Sequence, residues 1–280
     1  MTKLFGLIGC PVAHSLSPQM HNDAFANLEI DAKYQAFHVE PENLENAILG
    51  CKALQIAGFN VTIPHKVSIM KYLDDIDQLA EQIGAVNTVV NNNGRLIGYN
   101  TDGPGYVRAL ANMVTSQLNS KKILIIGSGG AARGIYFSLA KHGVQTIDIC
   151  NRTMTTAVEL VKQCQFDVQS SALTLHEAET RIHHYDIIIN TTSVGMSPQT
   201  NAVPISTKNI NKNHFVSDII YNPLETKLLT EAQNNGAVVQ NGVDMFVYQG
   251  ALAFETWTSM FPNTDRMKNI VLNKLGGTTC

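Results

Sequence analysis

Ile123-Leu124-Ile125-Ile126-Gly127-Ser128-Gly129-Gly130-Ala131-Ala132-Arg133-Gly134 is the stretch that decides the fold. Four apolar residues in a row suit a short strand covered on both faces, and the small residues after the glycines suit a helix that packs closely. The spacing fits G-x-G-x-x-A. Gly127 permits a tight turn, Gly129 lets backbone N–H groups approach a pyrophosphate, and Ala132 lets the helix lie close to the sheet. The helix N-terminus adds partial positive charge at the same place. A glycine motif alone is weak evidence. Here a strand precedes it and a helix pattern follows, so dinucleotide binding is expected rather than a merely structural turn.

Working outward, the C-terminal side repeats the same punctuation. Residues 146–150, 186–190, 216–220 and 238–240 are short apolar runs bounded by turn signals, with helical patterns between most of them. Such strands belong to a parallel sheet covered on both faces. The run after the glycine motif ends Cys150-Asn151-Arg152-Thr153, with no acid at its tip. An acid there would hold a ribose 2′-hydroxyl, whereas the Arg152 fork suits a 2′-phosphate. Asp148 lies two residues earlier, inside the run. NADP is therefore expected over NAD, the competing reading being that Arg152 is a solvated loop residue.

On the N-terminal side, residues 5–10, 34–39 and 58–62 read as strands, 41–54 as a helix, and a helix follows Pro64 with Val67, Met70 and Leu73 on it. Ser17-Pro18 reads as an N-cap and first helical residue. Residues 86–90 and 95–99 flank an Asn-Gly turn and read as a hairpin. Alternating strands and helices indicate an α/β layer structure with largely parallel pairing. A helix at 104–118 links the two series, and the apolar stretch 242–260 is expected to return to the first. The expected fold is α/β in two domains. Residues 1–103 and 242–280 form a substrate domain with a mixed or parallel sheet, and 104–241 a Rossmann-type doubly wound NADP domain.

Composition narrows the function. The chain has 280 residues, 44% hydrophobic and 15% charged, enough apolar matter for two cores and too much for disorder. Twenty basic residues against 23 acidic ones give a net charge of -3. Nucleic-acid binding, which needs a basic excess, is not expected. No apolar run reaches the ~20 residues of a membrane span, and the segment before Leu7-Ile8-Gly9-Cys10 is too short for a signal core. Five scattered cysteines without a C-x-x-C pair indicate free thiols and a cytoplasmic location. Nine histidines, including His183-His184, show no H-E-x-x-H spacing, so no metal site is expected.

Four segments at expected strand ends are rich in hydroxyl and amide groups: 14–18, 60–66, 85–88 and 100–103. Ligands of open α/β sheets bind beyond the carboxyl ends of the strands. Ser15 and Ser17 flank a helix N-terminus, a seat for a carboxylate. Asn60, Thr62 and Asn87 suit a polyhydroxylated ligand. Lys66 and Asp102 are the charged side chains of these segments. Such a pair can pass a proton to or from an alcohol while hydride moves at the same carbon.

Together, S-L-S-P-x-x-H, N-V-T-I-P-H-K, G-A-V-N-T, N-T-D-G, G-S-G-G-A-A-R, N-R-T and M-x-V-x-Q, in this order from residue 9 to 249, resemble the shikimate dehydrogenase family. The resemblance implies reversible, NADPH-dependent reduction of 3-dehydroshikimate to shikimate in aromatic amino-acid and chorismate biosynthesis. It implies Lys66 and Asp102 as the catalytic pair, and Ser15, Ser17, Asn60, Thr62, Asn87, Tyr221 and Gln249 as further substrate contacts. Gly127, Ser128, Gly129, Gly130, Ala131, Asn151, Arg152 and Thr153 match its cofactor loops, with Ile219 and Gly242 at the nicotinamide. Relatives often carry a second basic residue where Thr156 stands, so NAD and quinate use is the alternative. A non-catalytic NADP-binding module is the reading from another class, opposed by the intact Lys66 and Asp102. The expected partner is the small-molecule substrate, the expected assembly a monomer or homodimer.

Overall fold

The computed structural model describes residues 2–114 and 117–276. The chain separates into two compact units. One comprises the chain up to Gly105 and from Val247 onward, the other Tyr106–Phe246.

The first unit begins with β1 (Lys3–Gly9), α1 (Ser17–Asn27), β2 (Ala32–His38), α2 (Leu44–Ala53) and β3 (Gly58–Val61). There follow β4 (Asp75–Ile76), α3 (Gln78–Ile83), β5 (Thr88–Asn92) and β6 (Arg95–Tyr99). The strand order is β2-β1-β3-β5-β6-β4. The sheet is mixed. β1 runs parallel to β2 and β3, and β4 parallel to β6, but β5 is antiparallel to both β3 and β6. The cause of the reversal is the turn at Asn93 and Gly94, with φ of 52° and 92°, which leaves Asn92 opposite Arg95. Two left-handed residues make a tight hairpin turn, and a two-residue turn joins only antiparallel strands. Alternation along β1 covers both faces of the sheet. Phe5 and Leu7 pack with Phe25, Tyr34 and Phe254, while Ile8 packs with Leu44, Ile48 and Val61 on the other side.

Three local expectations need correction. Ser17 does not cap α1; it is the first helical residue behind Leu16, no side chain caps the helix, and Ser15 Oγ accepts the Ser17 N–H at 3.2 Å. The helix expected after Pro64 is a single 3₁₀ stretch, Ser68–Tyr72, with Ile69 buried and Val67 67% exposed. β-Branched and aromatic residues weaken a helix this short, and the chain must re-enter the sheet at Asp75. The linking helix starts at Asp102, not 104, because Asn100 Oδ1 accepts the N–H groups of Asp102 (3.1 Å) and Gly103 (3.4 Å).

That helix, α4 (Asp102–Met113), leads into the second series. It continues as β7 (Lys122–Ile126), α5 (Gly130–Lys141), β8 (Thr146–Cys150), α6 (Met154–Gln163), β9 (Ala172–Leu173) and α7 (Leu175–Arg181). Then come β10 (Ile187–Asn190), β11 (Phe215–Asp218), α8 (Lys227–Asn234), β12 (Val238–Gln240), α9 (Val243–Thr258) and α10 (Thr264–Leu275). The order β12-β11-β10-β7-β8-β9, parallel throughout, is the doubly wound arrangement, with its switch point between β7 and β10. Ile123 to Ile126 are each at most 1% exposed, worth about 1.5–3 kcal/mol per side chain.

Candidate active site

Lys66 and Asp102, 36 residues apart in the chain, form an ion pair in which Lys66 Nζ donates to Asp102 Oδ2 at 2.6 Å. Their side chains are 31% and 24% exposed, so the pair is walled in yet open on one side. The Lys66 carbonyl is fixed by the Val86 N–H at 2.8 Å. Asp102 sits in the first turn of α4; because Asn100 satisfies the helix N–H groups, the Asp102 carboxylate is left for side-chain partners.

The second Asp102 oxygen is held by Asn87. Its Nδ2 donates to Asp102 Oδ1 at 2.8 Å, while its Oδ1 accepts the Thr101 N–H at 2.7 Å. Asn60 Nδ2 donates to the Asn87 carbonyl and to Thr88 Oγ1, both at 3.1 Å. Tyr34 donates its phenol proton to Asn60 Oδ1 at 2.8 Å. Burial raises the Tyr34 phenol well above its ordinary value, so it stays a donor. A continuous chain of hydrogen bonds therefore runs from Tyr34 through Asn60, Asn87 and Asp102 to Lys66. All its members are buried except the last two.

The register of the sheet makes this possible. Thr88 stands opposite both Asn60 on β3 and Tyr99 on β6, so three strand ends deliver their polar residues to one place. Sequence reasoning missed Tyr34, whereas Thr88 and Thr101 lie in segments it singled out without naming them as contacts. Tyr34 had one signal, the inward phase of an alternating strand, and that reads equally as packing. Ser15 and Thr62 stand beside the chain rather than in it. The Thr62 methyl covers Gly9, where a Cβ would come within 2.3 Å of it. Gln249 lies on α9, its backbone pressed against Gly105, where a Cβ would meet the Gln249 nitrogen at 2.5 Å. Only glycine allows that approach, one turn of α4 beyond Asp102.

The remaining sequence-named residues belong to the second unit. Gly127 has φ +107°, and a Cβ there would meet Thr191 Oγ1 at 2.7 Å and Thr192 Cγ2 at 2.9 Å. Gly129 and Gly130 have nothing within 4 Å of a notional Cβ, so open space lies before α5. No side chain caps α5, which leaves its first N–H groups to a ligand. This cradle fits a dinucleotide pyrophosphate. The loop after β8 folds onto it: Asn151 Nδ2 donates to Thr156 Oγ1 at 2.8 Å, and Thr156 Oγ1 lies 2.7 Å from Ser128 Oγ. Arg152 and Thr153 are exposed at the tip. Asp148 is turned to other work, accepting from the Ser171 N–H and the Tyr185 hydroxyl, both at 2.7 Å. No acid therefore faces a 2′-position from β8. Ile219 and Gly242 touch, since a Cβ on Gly242 would lie 2.0 Å from the Ile219 carbonyl oxygen. Tyr221 stacks on Phe246 at 5.4 Å, and burial raises its phenol.

Comparison with known proteins places the chain in a family. Residues 7–89 match the shikimate dehydrogenase substrate binding domain, 109–223 the shikimate/quinate 5-dehydrogenase family, and 242–272 the shikimate 5′-dehydrogenase C-terminal domain. The shikimate dehydrogenase (NADP(+)) of Geobacillus sp. (strain WCH70) is 60% identical over 277 residues, 99% of this chain and 100% of that protein. The chain belongs to the shikimate dehydrogenase family. Two solved structures share the family fold over nearly the whole chain. The shikimate 5-dehydrogenase of Listeria monocytogenes, in complex with shikimate and NAD, superposes with a TM-score of 0.92 at 39% identity and covers 96% of each chain. That of Thermus thermophilus, in complex with NADP(H) and shikimate, gives 0.87 at 33% identity, covering 97% of this chain and 99% of that one. Among the described residues of this family member, no helix is long and apolar enough to cross a membrane.

Proposed function

We propose that this protein reduces 3-dehydroshikimate to shikimate with NADPH, reversibly, as a cytoplasmic enzyme of aromatic amino-acid and chorismate biosynthesis acting as a monomer or homodimer. The first unit takes the substrate and the second the cofactor. The observation that carries the reading is the 2.6 Å Lys66–Asp102 pair at the open end of a buried hydrogen-bonded chain.

NADPH, when bound, supplies the hydride to the substrate's carbonyl carbon. Lys66 Nζ gives its proton to the oxygen that becomes the alcohol, and takes it back in the reverse direction. Asp102, fixed by Asn87, holds the Lys66 ammonium in place. Ser15 and Ser17 receive the substrate carboxylate, while Asn60, Thr62, Asn87 and Gln249 bind its hydroxyls. Because Asn60 and Asn87 are buried and already tied to neighbours, they meet the substrate preorganised, with little ordering left to do on binding. Gly127, Ser128, Gly129, Gly130 and Ala131 would hold the pyrophosphate at the α5 N-terminus. Arg152, flanked by Asn151 and Thr153, would pair with a 2′-phosphate. Ile219 and Gly242 would line the nicotinamide.

The test is nicotinamide absorbance with shikimate and NADP. Lys66→Ala is expected to lower kcat by about 10²–10⁴-fold, with KM for shikimate within about tenfold of wild type. An unchanged kcat removes Lys66 from the chemistry. A wild type that prefers NAD with quinate overturns the assignment of substrate and cofactor.

A further inference from the structure

Cys10, His38 and Glu40 meet at the carboxyl ends of β1 and β2. Parallel register pairs Gly9 with His38, so the two strand ends emerge side by side, and Cys10 and Glu40 follow within two residues. Both segments are pinned by backbone bonds. Cys10 N–H donates to the Ile63 carbonyl at 2.9 Å and Val39 N–H to the Gly9 carbonyl at 3.0 Å, while His65 Nε2 holds the Val39 carbonyl at 2.7 Å. The ligand-type atoms lie close together: Cys10 Sγ to His38 Nε2 is 3.5 Å, Cys10 Sγ to Glu40 Oε2 3.1 Å, and His38 Nε2 to Glu40 Oε1 2.9 Å.

Those separations are close to the edges of a metal tetrahedron. Zinc bond lengths of ~2.3 Å to sulfur and ~2.0–2.1 Å to nitrogen or oxygen give edges of about 3.5, 3.5 and 3.3 Å. Two edges need only widen by a few tenths of an ångström, which half-exposed side chains allow. His38 and Glu40 are 52% and 49% exposed, leaving solvent to fill the fourth position. We propose that Cys10, His38 and Glu40 bind one divalent ion of the zinc class. Thiolate and imidazole select zinc, cobalt, nickel or copper over magnesium and calcium, which need cages of oxygen. One thiolate and one carboxylate balance the double charge. In the structure the thiol donates to Glu40, and that bond, burial and the Glu40 and Glu42 charges raise the Cys10 thiol. The ion replaces the thiol proton on binding. The three residues take no part in the chain from Tyr34 to Lys66, so loading and turnover are separable.

Cobalt(II), titrated into the reduced full-length protein, tests the site. A thiolate-to-cobalt charge-transfer band is expected at one ion per chain, displaced by zinc(II). Cys10→Ser is expected to abolish the band while its turnover of shikimate stays within about twofold, which shows an intact fold. His38→Ala should weaken cobalt binding by about tenfold or more, since even outer-shell losses cost metal sites that much. Absence of the band, its survival in Cys10→Ser, or unchanged affinity in His38→Ala overturns the proposal.

Discussion

His21 is fully buried, and neither of its ring nitrogens has a hydrogen-bond partner. It is held by flat surfaces instead, stacked on Tyr34 at 4.6 Å and flanked by Trp257 at 5.3 Å and Phe254 at 6.2 Å. Burial lowers its pKa from 6.5 to about 3. Between those values the unfolded chain binds a proton that the folded chain refuses. The stability that neutral His21 supports is thus whole above pH 6.5 and falls as pH drops toward 3, by up to ~1.4 kcal/mol per unit. His21→Phe keeps a flat ring without the proton. Its melting temperature is expected to fall less than that of wild type between pH 7 and pH 5, measured by thermal unfolding. Equal falls would mean that other groups carry the acid sensitivity. The motif residue is thereby read as packing that keeps Tyr34 in place, a role its sequence position alone does not disclose.

At the scale of elements, the β7–α5 turn shows how far sequence reasoning reaches. Gly127 is legible as a turn glycine because four apolar residues and a helix pattern frame it. That its Cβ would strike Thr191 and Thr192 is not, since those residues arrive from beyond β10, 64 positions on. Gly127→Ala combines that clash with strain at positive φ, about 1–3 kcal/mol. A lowered unfolding midpoint and weakened NADP binding by titration are expected, with binding of shikimate alone unchanged. Wild-type NADP affinity in this variant would show that the turn adapts. The β5–β6 hairpin is legible from Asn93-Gly94, because only a few residue types accept left-handed backbone. The segment after Pro64 is not, because apolar spacing over seven residues does not separate an α-helix from a 3₁₀ turn. The start of α1 is ambiguous because hydroxyl residues on both sides of Leu16 offer the same local capping signal. β9 escapes sequence reasoning because two residues carry no periodicity.

For the whole molecule, each unit has its own core. The second unit packs around Ile126, Ile188 and Val216, and the first has two clusters, around Phe59 and around Phe254. A ligand stabilises what it binds, by about 2.7 kcal/mol at a hundredfold excess over Kd. Hydrogen exchange is therefore expected to divide. NADP alone should slow exchange at residues 127–133 and 151–156, and shikimate alone at 60–66, 86–88 and 100–103. Protection of the second set by NADP alone would show that the sites are not assigned to separate units. Two α/β layers, a glycine-rich phosphate cradle and the chemical character of the wall are written in local periodicity and residue type, which act over a few neighbours and need no distant partner. The meeting of Lys66 with Asp102, the thread from Tyr34 through Asn60 to Asn87, and the closeness of Cys10 to His38 depend on strand register. Register arises from packing both faces of a sheet at once, so it is settled by residues far apart along the chain.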